Sequence, residues 1–250
     1  MNRVDKTIGW CKWTVNPIKG LCPMGCSYCY ARRFYKRMQW DETIRFDINV
    51  LDKASKALSR LPDGQRVFVG STMELFGDHI KREWLEATFK RIRFHSQHTF
   101  LMLTKCPQNL PQWSPFPDNC HIGVTATNDT EFIKAGGYLE LVNAKVKYIS
   151  VEPFLSWDTV KSGFMATMLK KWGIGLIIIG RQTPISKKTE PKIEWIQEIV
   201  EAADKAGVPV FLKDNLTNLF KSEFDKHGWT AIKRFHTPDW ELRQEFPKVK

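Results

Sequence analysis

Along the middle of the chain, short continuous apolar runs alternate with longer segments whose apolar residues recur at helical spacing. A run of four to eight apolar residues indicates a buried β-strand, and apolar positions three and four residues apart indicate an amphipathic helix. The predicted strands cover residues 8–14, 66–70, 99–104, 121–125, 146–151, 174–179 and 208–212. The predicted helices cover a segment directly after residue 29 and residues 82–95, 131–142, 159–171 and 193–206.

Near-continuous apolar strands separated by helices are typical of a parallel sheet whose two faces are both covered. The alternation therefore predicts an α/β protein, built as a partial or complete β/α barrel of about six to seven parallel strands. We expect Gly136 and Gly137 to interrupt one helix, and Gly207 to end another.

The predicted barrel occupies residues 1–215, because no internal repeat, long linker or low-complexity segment divides this range. Residues 216–250 have a different character, with many charges and the aromatic residues Trp229 and Trp240. We expect this segment to form a carboxyl-terminal extension packed on the barrel.

Composition sets limits on the kind of protein. The chain has 250 residues, of which 42% are hydrophobic, so it can bury a sizeable core. No apolar run reaches the roughly 18 residues needed to cross a bilayer, and no membrane partner is expected. The sequence shows no targeting segment, and its six sparse cysteines do not suggest a disulfide framework. The predicted location is therefore the cytoplasm.

Three cysteines near the amino terminus, Cys22, Cys26 and Cys29, are separated by three and then by two residues. Iron–sulfur clusters are held by cysteine sulfur, so this triplet predicts ligands for three corners of a [4Fe–4S] cluster. The fourth iron would then stay open for a small molecule.

The main alternative for these cysteines is a structural zinc site, with Cys11 or a histidine as the fourth ligand. Zinc ribbons usually have two separated Cys-x2-Cys pairs, and the sequence has no second pair. The cysteines outside the triplet lack ligand spacing and are predicted to be small buried apolar residues: Cys11, Cys106 and Cys120.

The spacing of the triplet, with the aromatic Tyr28 directly before the last cysteine, resembles the signature of the radical S-adenosylmethionine (SAM) enzymes. The resemblance implies that SAM chelates the open iron and is cleaved by one electron to methionine and a 5′-deoxyadenosyl radical. That radical abstracts hydrogen from a substrate. The resemblance also implies a one-electron reductant, flavodoxin or ferredoxin, as a partner.

A narrower resemblance is to the phage-associated three-cysteine radical SAM family. It rests on six segments, residues 15–22, 26–32, 103–107, 122–125, 149–153 and 206–213. Where that family tends to have a Gly-Gly-Glu-Ser-like segment after the sixth strand, this chain has Gly180-Arg-Gln-Thr183. A more distant similarity, limited to the cysteine segment, is to the spore photoproduct lyases, which are radical SAM enzymes that repair DNA.

Many radical SAM enzymes accept the amino group of SAM on backbone carbonyls of a Gly-Gly-Glu-like segment after the second strand. The corresponding segment here is Gly70-Ser-Thr-Met-Glu74, which lacks the paired glycines. The resemblance implies that Gly70, Ser71 and Thr72 contact SAM. Glu74 is a candidate for substrate binding.

Polar residues also follow the later predicted strands, on the edge where α/β proteins place their active groups. Their hydroxyl, ammonium and carboxylate groups could bind SAM or substrate, although such residues also form ordinary turns and ion pairs. The candidates for SAM binding among them are Lys105, Thr125, Thr127 and Glu152, and those for substrate are Arg181 and Lys213. In the cysteine loop, Tyr28 is a further candidate, whose ring could lie near the adenine of SAM.

The formal net charge of +11 is high for an ordinary metabolic enzyme. An excess of Lys and Arg favours polyanionic partners, and the sixteen phenylalanines and ten tryptophans offer surfaces on which bases could stack. A solvated basic face with aromatic residues in the core explains the same composition. Two functions therefore remain open: a radical SAM enzyme whose substrate is a nucleic acid (DNA or RNA) or a nucleotide, and a nucleic-acid-binding module with a structural metal, zinc or iron–sulfur.

Overall fold

A computed structural model of the protein describes residues 1–5, 7–158 and 162–248. The chain divides into two compact units, residues 1–123 with 142–145, and residues 124–141 with the chain from 146 onward. The strands are β1 (Asn2–Arg3), β2 (Trp13–Val15), β3 (Ile18–Lys19), β4 (Arg45–Phe46), β5 (Arg66–Val69), β6 (Thr99–Thr104), β7 (Cys120–Ala126), β8 (Val146–Val151), β9 (Ile174–Ile179) and β10 (Val210–Leu212). The helices are α1 (Tyr30–Met38), α2 (Ile48–Leu58), α3 (Arg82–Phe94), α4 (Asp129–Glu140), α5 (Ser162–Lys171), α6 (Ile193–Ala206), α7 (Thr217–His227) and α8 (Trp229–Ile232).

Eight of the strands form one sheet in the order β1-β2-β5-β6-β7-β8-β9-β10. Strand β1 is antiparallel to β2, whereas the pairs β2–β5, β5–β6, β8–β9 and β9–β10 are parallel. The α/β class and the predicted number of strands are confirmed. Within the described residues the sheet is open, with β1 and β10 at its edges, so the fold is a partial barrel and not a complete one.

In the first unit, α2 lies in a segment for which the sequence pattern predicts no element. Asp47 caps the helix by accepting a hydrogen bond from the Val50 backbone N–H at 3.3 Å. The helix buries Leu51, Ala54 and Leu58, which recur at helical spacing on its inner face. Charged residues lie between these positions, so the sequence shows no continuous apolar pattern that would predict the helix. The two-residue strands β1, β3 and β4 are too short to show any periodicity.

In the second unit, α4 runs without a break through Gly136 and Gly137, so the predicted interruption is wrong. The reason is packing: a Cβ atom on Gly136 would lie only 2.0 Å from Cε3 of Trp172. Helix α5 is described from Ser162 onward, and the predicted helical residues 159–161 lie outside the described part of the chain. Helix α6 ends at Gly207, as predicted, with φ at 72°.

The last part of the second unit covers the edge of the sheet at β10. The N–H of Leu212 donates to the carbonyl of Arg243 at 2.7 Å, and the N–H of Glu245 donates to that of Val210 at 3.0 Å. These antiparallel contacts use backbone groups that would otherwise be exposed on an edge strand. The boundary after residue 215 stays a prediction. No helix in the described residues is both long and apolar enough to cross a membrane.

Candidate functional site

The cysteine triplet lies in the first unit, in the loop between β3 and α1. The side chains of Cys22, Cys26 and Cys29 are half-buried and line one pocket, which is partly open to solvent. Gly25 has a φ of 65°, a left-handed conformation that lets the loop turn between the first two cysteines. The remaining lining residues are Leu21, Met24, Ala31, Arg32, Tyr35 and Thr72.

Helix α1 begins directly after the last cysteine of the triplet. Cys29 is its N-cap residue, in an extended conformation and without a side-chain hydrogen bond to the helix. The unpaired backbone N–H groups of a helix N-terminus favour negative charge, such as that of a thiolate or a thiolate-bound cluster. Arg32, from the same helix, lines the pocket and donates to the carbonyl of Cys22 at 2.6 Å, whereas Arg33 is exposed.

Burial is the main cause that raises the pKa of the Cys22 thiol above its ordinary value. Hydrogen bonds from the backbone of Met24 and Glu74 act in the opposite direction. Amide donors aimed at a ligating sulfur stabilise its negative charge and tune a bound metal centre. Cys22 is therefore linked both to its own loop and to the loop that follows β5.

The arrangement of the three cysteine sulfurs suits the predicted [4Fe–4S] cluster better than a single metal ion. In the part of the chain that the structure describes, no three Cys, His, Asp or Glu side chains converge on a point where a single metal ion could bind. A cubane cluster offers a separate iron to each sulfur, so its three ligands need a shared pocket and not a shared point. Three cysteines around one pocket, with amide donors and a guanidinium beside them, fit that requirement.

The loop after β5 carries the residues predicted to contact SAM. Gly70 has a φ of 80°, and a Cβ atom there would lie 2.5 Å from the side chain of Leu75, so a larger residue would be both strained and crowded. The hydroxyl of Ser71 lies 3.1 Å from Nδ2 of Asn16 and 3.0 Å from Oγ1 of Thr14. Thr72 lies at the cysteine pocket. The loop thus joins the ends of β2 and β5 to the triplet.

Glu74, a predicted substrate residue, is buried and its carboxylate accepts three hydrogen bonds from the protein. The donors are the hydroxyl of Thr104 at 2.5 Å, the N–H of Lys105 at 2.7 Å and the N–H of Phe76 at 3.0 Å. This carboxylate holds the loop after β5 against the end of β6. Lys105 places its Nζ 5.3 Å from the ring centroid of Tyr28, which is a cation–π distance.

The second unit contains the other predicted site residues. Thr125 is buried in β7, and Thr127 donates its backbone N–H and its hydroxyl to Glu131 at 2.7 and 2.8 Å, at the beginning of α4. Each of the predicted charged residues has a partner of opposite charge: Lys213 pairs with Glu152, and Arg181 pairs with Glu190 at 2.6 Å.

The Glu152–Lys213 ion pair crosses the strand that lies between its two members. Glu152 follows β8, Lys213 follows β10, and Gly180 follows β9 in the middle. A Cβ atom on Gly180 would lie 2.8 Å from Cδ of Lys213 and 3.3 Å from Cδ of Glu152. The absence of a side chain at this position lets the two charges meet.

Sequence reasoning missed two residues that position the loop after β5. Asn16 directly follows β2 and contacts Ser71, and the hydroxyl of Tyr30 donates to the Ser71 carbonyl at 3.0 Å. Asn16 stands after an apolar run and before Pro17, a signal that could have identified it as a strand-end polar residue. Cys106 is buried as predicted, and its sulfur lies 3.7 Å from that of Met24 in the cysteine loop.

Comparison with solved structures shows what the fold is similar to. A spore photoproduct lyase mutant matches at 15% identity with a TM-score of 0.55, covering 94% of this chain and 77% of the other. Spore photoproduct lyase complexed with dinucleoside spore photoproduct matches at 14% identity with a TM-score of 0.55, covering 93% of this chain and 76% of the other. A mutant of it with bound AdoMet and dinucleoside spore photoproduct matches at 13% identity and 0.55, with the same coverage of 93% and 76%. At this level of identity the likeness shows the fold alone.

Comparison at the level of sequence gives two further results. No curated protein matches the chain. One family model matches residues 5–232, which is most of the sequence and includes the cysteine triplet, α1 and all the strands from β2 to β10. The chain therefore belongs to the family described as "Protein of unknown function (DUF5131)".

Proposed function

We propose that this protein is a radical SAM enzyme. Cys22, Cys26 and Cys29 would hold a [4Fe–4S] cluster, which when bound supplies the electron that cleaves SAM into methionine and a 5′-deoxyadenosyl radical for hydrogen abstraction. The observation that carries the proposal is that the three cysteines line one pocket at the N-terminus of α1. The similarity of the fold to that of spore photoproduct lyase, one structure of which has AdoMet bound, supports it.

The chain's own residues would bind and orient the reactants. The N-terminus of α1, Arg32 and the amides of Met24 and Glu74 offset negative charge around the cysteine sulfurs. The loop at Ser71 and Thr72, fixed by Asn16 and Tyr30, would offer its backbone carbonyls to the amino group of SAM. SAM contacts from Gly70, Tyr28, Lys105, Thr125, Thr127 and Glu152 are part of the same proposal.

The proposed substrate is a nucleic acid or a nucleotide. The net charge of +11 favours a polyanion, and a structure with a similar fold is complexed with dinucleoside spore photoproduct. Arg181, Lys213 and Glu74 remain the candidate substrate residues, each reached only if its present partner is displaced. We also propose that the protein is a member of the phage-associated three-cysteine radical SAM family.

The test is anaerobic reconstitution of the protein with iron and sulfide. A [4Fe–4S] cluster would give a brown protein with about four iron atoms per chain. Incubation with dithionite and SAM should then release 5′-deoxyadenosine, detected by chromatography. Cys26→Ala should lose iron and SAM cleavage together, whereas Cys11→Ala, a buried cysteine of the same unit, should keep both.

The competing function predicts different outcomes. A nucleic-acid-binding module with a structural metal would leave SAM intact while binding a fluorescent oligonucleotide with strong salt dependence. A colourless, zinc-containing protein that leaves SAM intact and binds the oligonucleotide would refute the proposed enzyme activity. In that case Cys26→Ala should lower thermal stability instead of abolishing a reaction.

A further inference from the structure

The outward face of α1 combines exposed apolar rings with positive charge. Phe34, Met38 and Trp40 have 46%, 54% and 50% of their surfaces exposed. These residues follow one another at helical spacing, apart from Trp40, which lies just beyond the helix. Soluble proteins rarely expose several large apolar side chains side by side without a partner.

The end of the helix is built so that Trp40 extends this apolar surface. Gln39 has a φ of 48°, and the N–H of Trp40 donates back to the carbonyl of Tyr35 at 3.2 Å. The Trp40 ring then stacks on Phe34 with centroids 6.5 Å apart and meets the edge of Tyr35 at 5.3 Å. The tryptophan is held against the helix and does not project freely into solvent.

The charges on this helix have one sign. Its nine residues include Arg32, Arg33, Lys36 and Arg37, and none is acidic. Arg33, Lys36 and Arg37 are exposed. The nearest carboxylate along the chain, that of Asp41, is paired with Arg45 at 2.7 Å. We call the surface formed by Arg33, Phe34, Arg37, Met38 and Trp40 the aromatic–basic face.

The opposite side of the same helix lines the cysteine pocket, through Ala31, Arg32 and Tyr35. Only the thickness of one helix, about 10 Å, separates the aromatic–basic face from the cysteines. Under the proposed function, SAM binds on the pocket side, where the loop at Ser71 lies, and a substrate would approach from there. The outward face is instead the shortest approach for a partner that needs only to deliver an electron.

We infer that the aromatic–basic face is the docking site for a small acidic one-electron carrier protein. The inference rests on the proposed function, because only a redox enzyme needs such a partner. The positive charges would attract an acidic carrier, and the apolar residues would fill the centre of the contact. Electron-transfer encounters use small, transient interfaces, so a short helix face can serve as one side of such a contact.

The test uses a bacterial flavodoxin as the probe and a charge-reversal variant, Arg33→Glu with Arg37→Glu. The matched control is Arg60→Glu with Lys90→Glu, which makes the same change in net charge at two exposed positions of the same unit, one in the turn after α2 and one in α3. Flavodoxin binding is measured by fluorescence anisotropy at low and high salt. Docking on α1 predicts binding about tenfold weaker in the α1 variant, and nearly unchanged in the control, at low salt.

A second readout follows the reconstituted protein. Reduced flavodoxin should bleach the visible absorption of the reconstituted cluster about tenfold more slowly in the α1 variant than in the wild type. Dithionite should bleach it at the same rate in the wild type, the α1 variant and the control variant. Equal losses in the two variants, or equal losses with flavodoxin and dithionite, would overturn the inference. So would an α1 variant that binds a fluorescent single-stranded oligonucleotide poorly but flavodoxin normally. SAM cleavage with dithionite reports separately on the proposed function, since it needs no carrier.

Discussion

The buried carboxylate of Glu74 accepts a hydrogen bond of 2.5 Å from the hydroxyl of Thr104. Glu74 belongs to the loop after β5, and Thr104 is the last residue of β6. The contact therefore fixes the loop that carries Ser71 and Thr72 to a neighbouring strand. Any role of this loop in binding depends on that anchor, because loops become precise only when buried side chains hold them to the scaffold.

Glu74→Ala should lower the free energy of unfolding by about 3 kcal/mol, since it leaves the Thr104 hydroxyl and two backbone N–H donors without their acceptor. Urea denaturation followed by fluorescence measures the change. The control Glu86→Ala removes an exposed ion pair with Arg82 and should change stability by less than about 1 kcal/mol. Equal effects of the two substitutions would contradict the anchoring role.

The adjacent glycines of α4 should respond in opposite directions to alanine. Gly137 has no atom within 4 Å of an added Cβ, so Gly137→Ala should stabilise the helix by about 0.5–1 kcal/mol. Gly136→Ala should destabilise the protein by about 1–3 kcal/mol, because the new methyl group overlaps the ring of Trp172. Thermal unfolding of both variants checks the pair. A stabilising Gly136→Ala would show that Trp172 can move away at little cost.

Stability should fall as the pH drops below about 6.5, and His121 should contribute to the loss. Burial is the main cause that lowers the pKa of His121 from 6.5 to about 4, and the charges of Lys145 and Arg66 add to it. Between these pH values the unfolded chain takes up a proton that the folded protein does not. The loss from this residue reaches about 3 kcal/mol at most.

The measurement is the free energy of unfolding between pH 4.5 and 7.5 for the wild type and for His121→Gln. The variant should show a shallower dependence on pH, because glutamine does not titrate. Parallel curves for the two proteins would mean that His121 titrates in the folded state as it does in the unfolded state. The difference between the curves also removes the contribution of carboxylates, which both proteins share.

Tyr30→Phe should weaken SAM binding without changing iron content. The substitution removes the hydroxyl that donates to the Ser71 carbonyl at 3.0 Å and leaves the ring in place. A hydrogen bond of this kind contributes about 0.5–1.5 kcal/mol, so KM for SAM should rise roughly twofold to tenfold. Tyr138→Phe, in α4 of the other unit, is the control. An unchanged KM in Tyr30→Phe would place the SAM contact elsewhere.

Much of the sheet could be predicted because its signal is local. The bounds of β6, β8 and β9 are those predicted from continuous apolar runs, and α6 has its predicted bounds because Gly207 ends it. The cysteine motif is equally local, since eight residues contain all three sulfurs. The roles proposed for the other site residues stay predictions.

Two kinds of feature escaped the sequence pattern. Helix α2 was hidden because charged residues separate its three buried apolar positions. Gly136 lies inside an unbroken helix, where the ring of Trp172, 36 residues away in the chain, leaves no room for a side chain, so the glycine serves packing and not a break.

By itself, then, the sequence determined the alternation of strands and helices and the spacing of the three cysteines, because both depend on neighbours a few residues apart. Only the tertiary structure decided which polar side chains meet: Glu74 with Thr104, Asn16 with Ser71, and Glu152 with Lys213 across Gly180. Each of these contacts joins residues 30 or more positions apart. Their partners are chosen by the order of strands in the sheet, and no local pattern encodes that order.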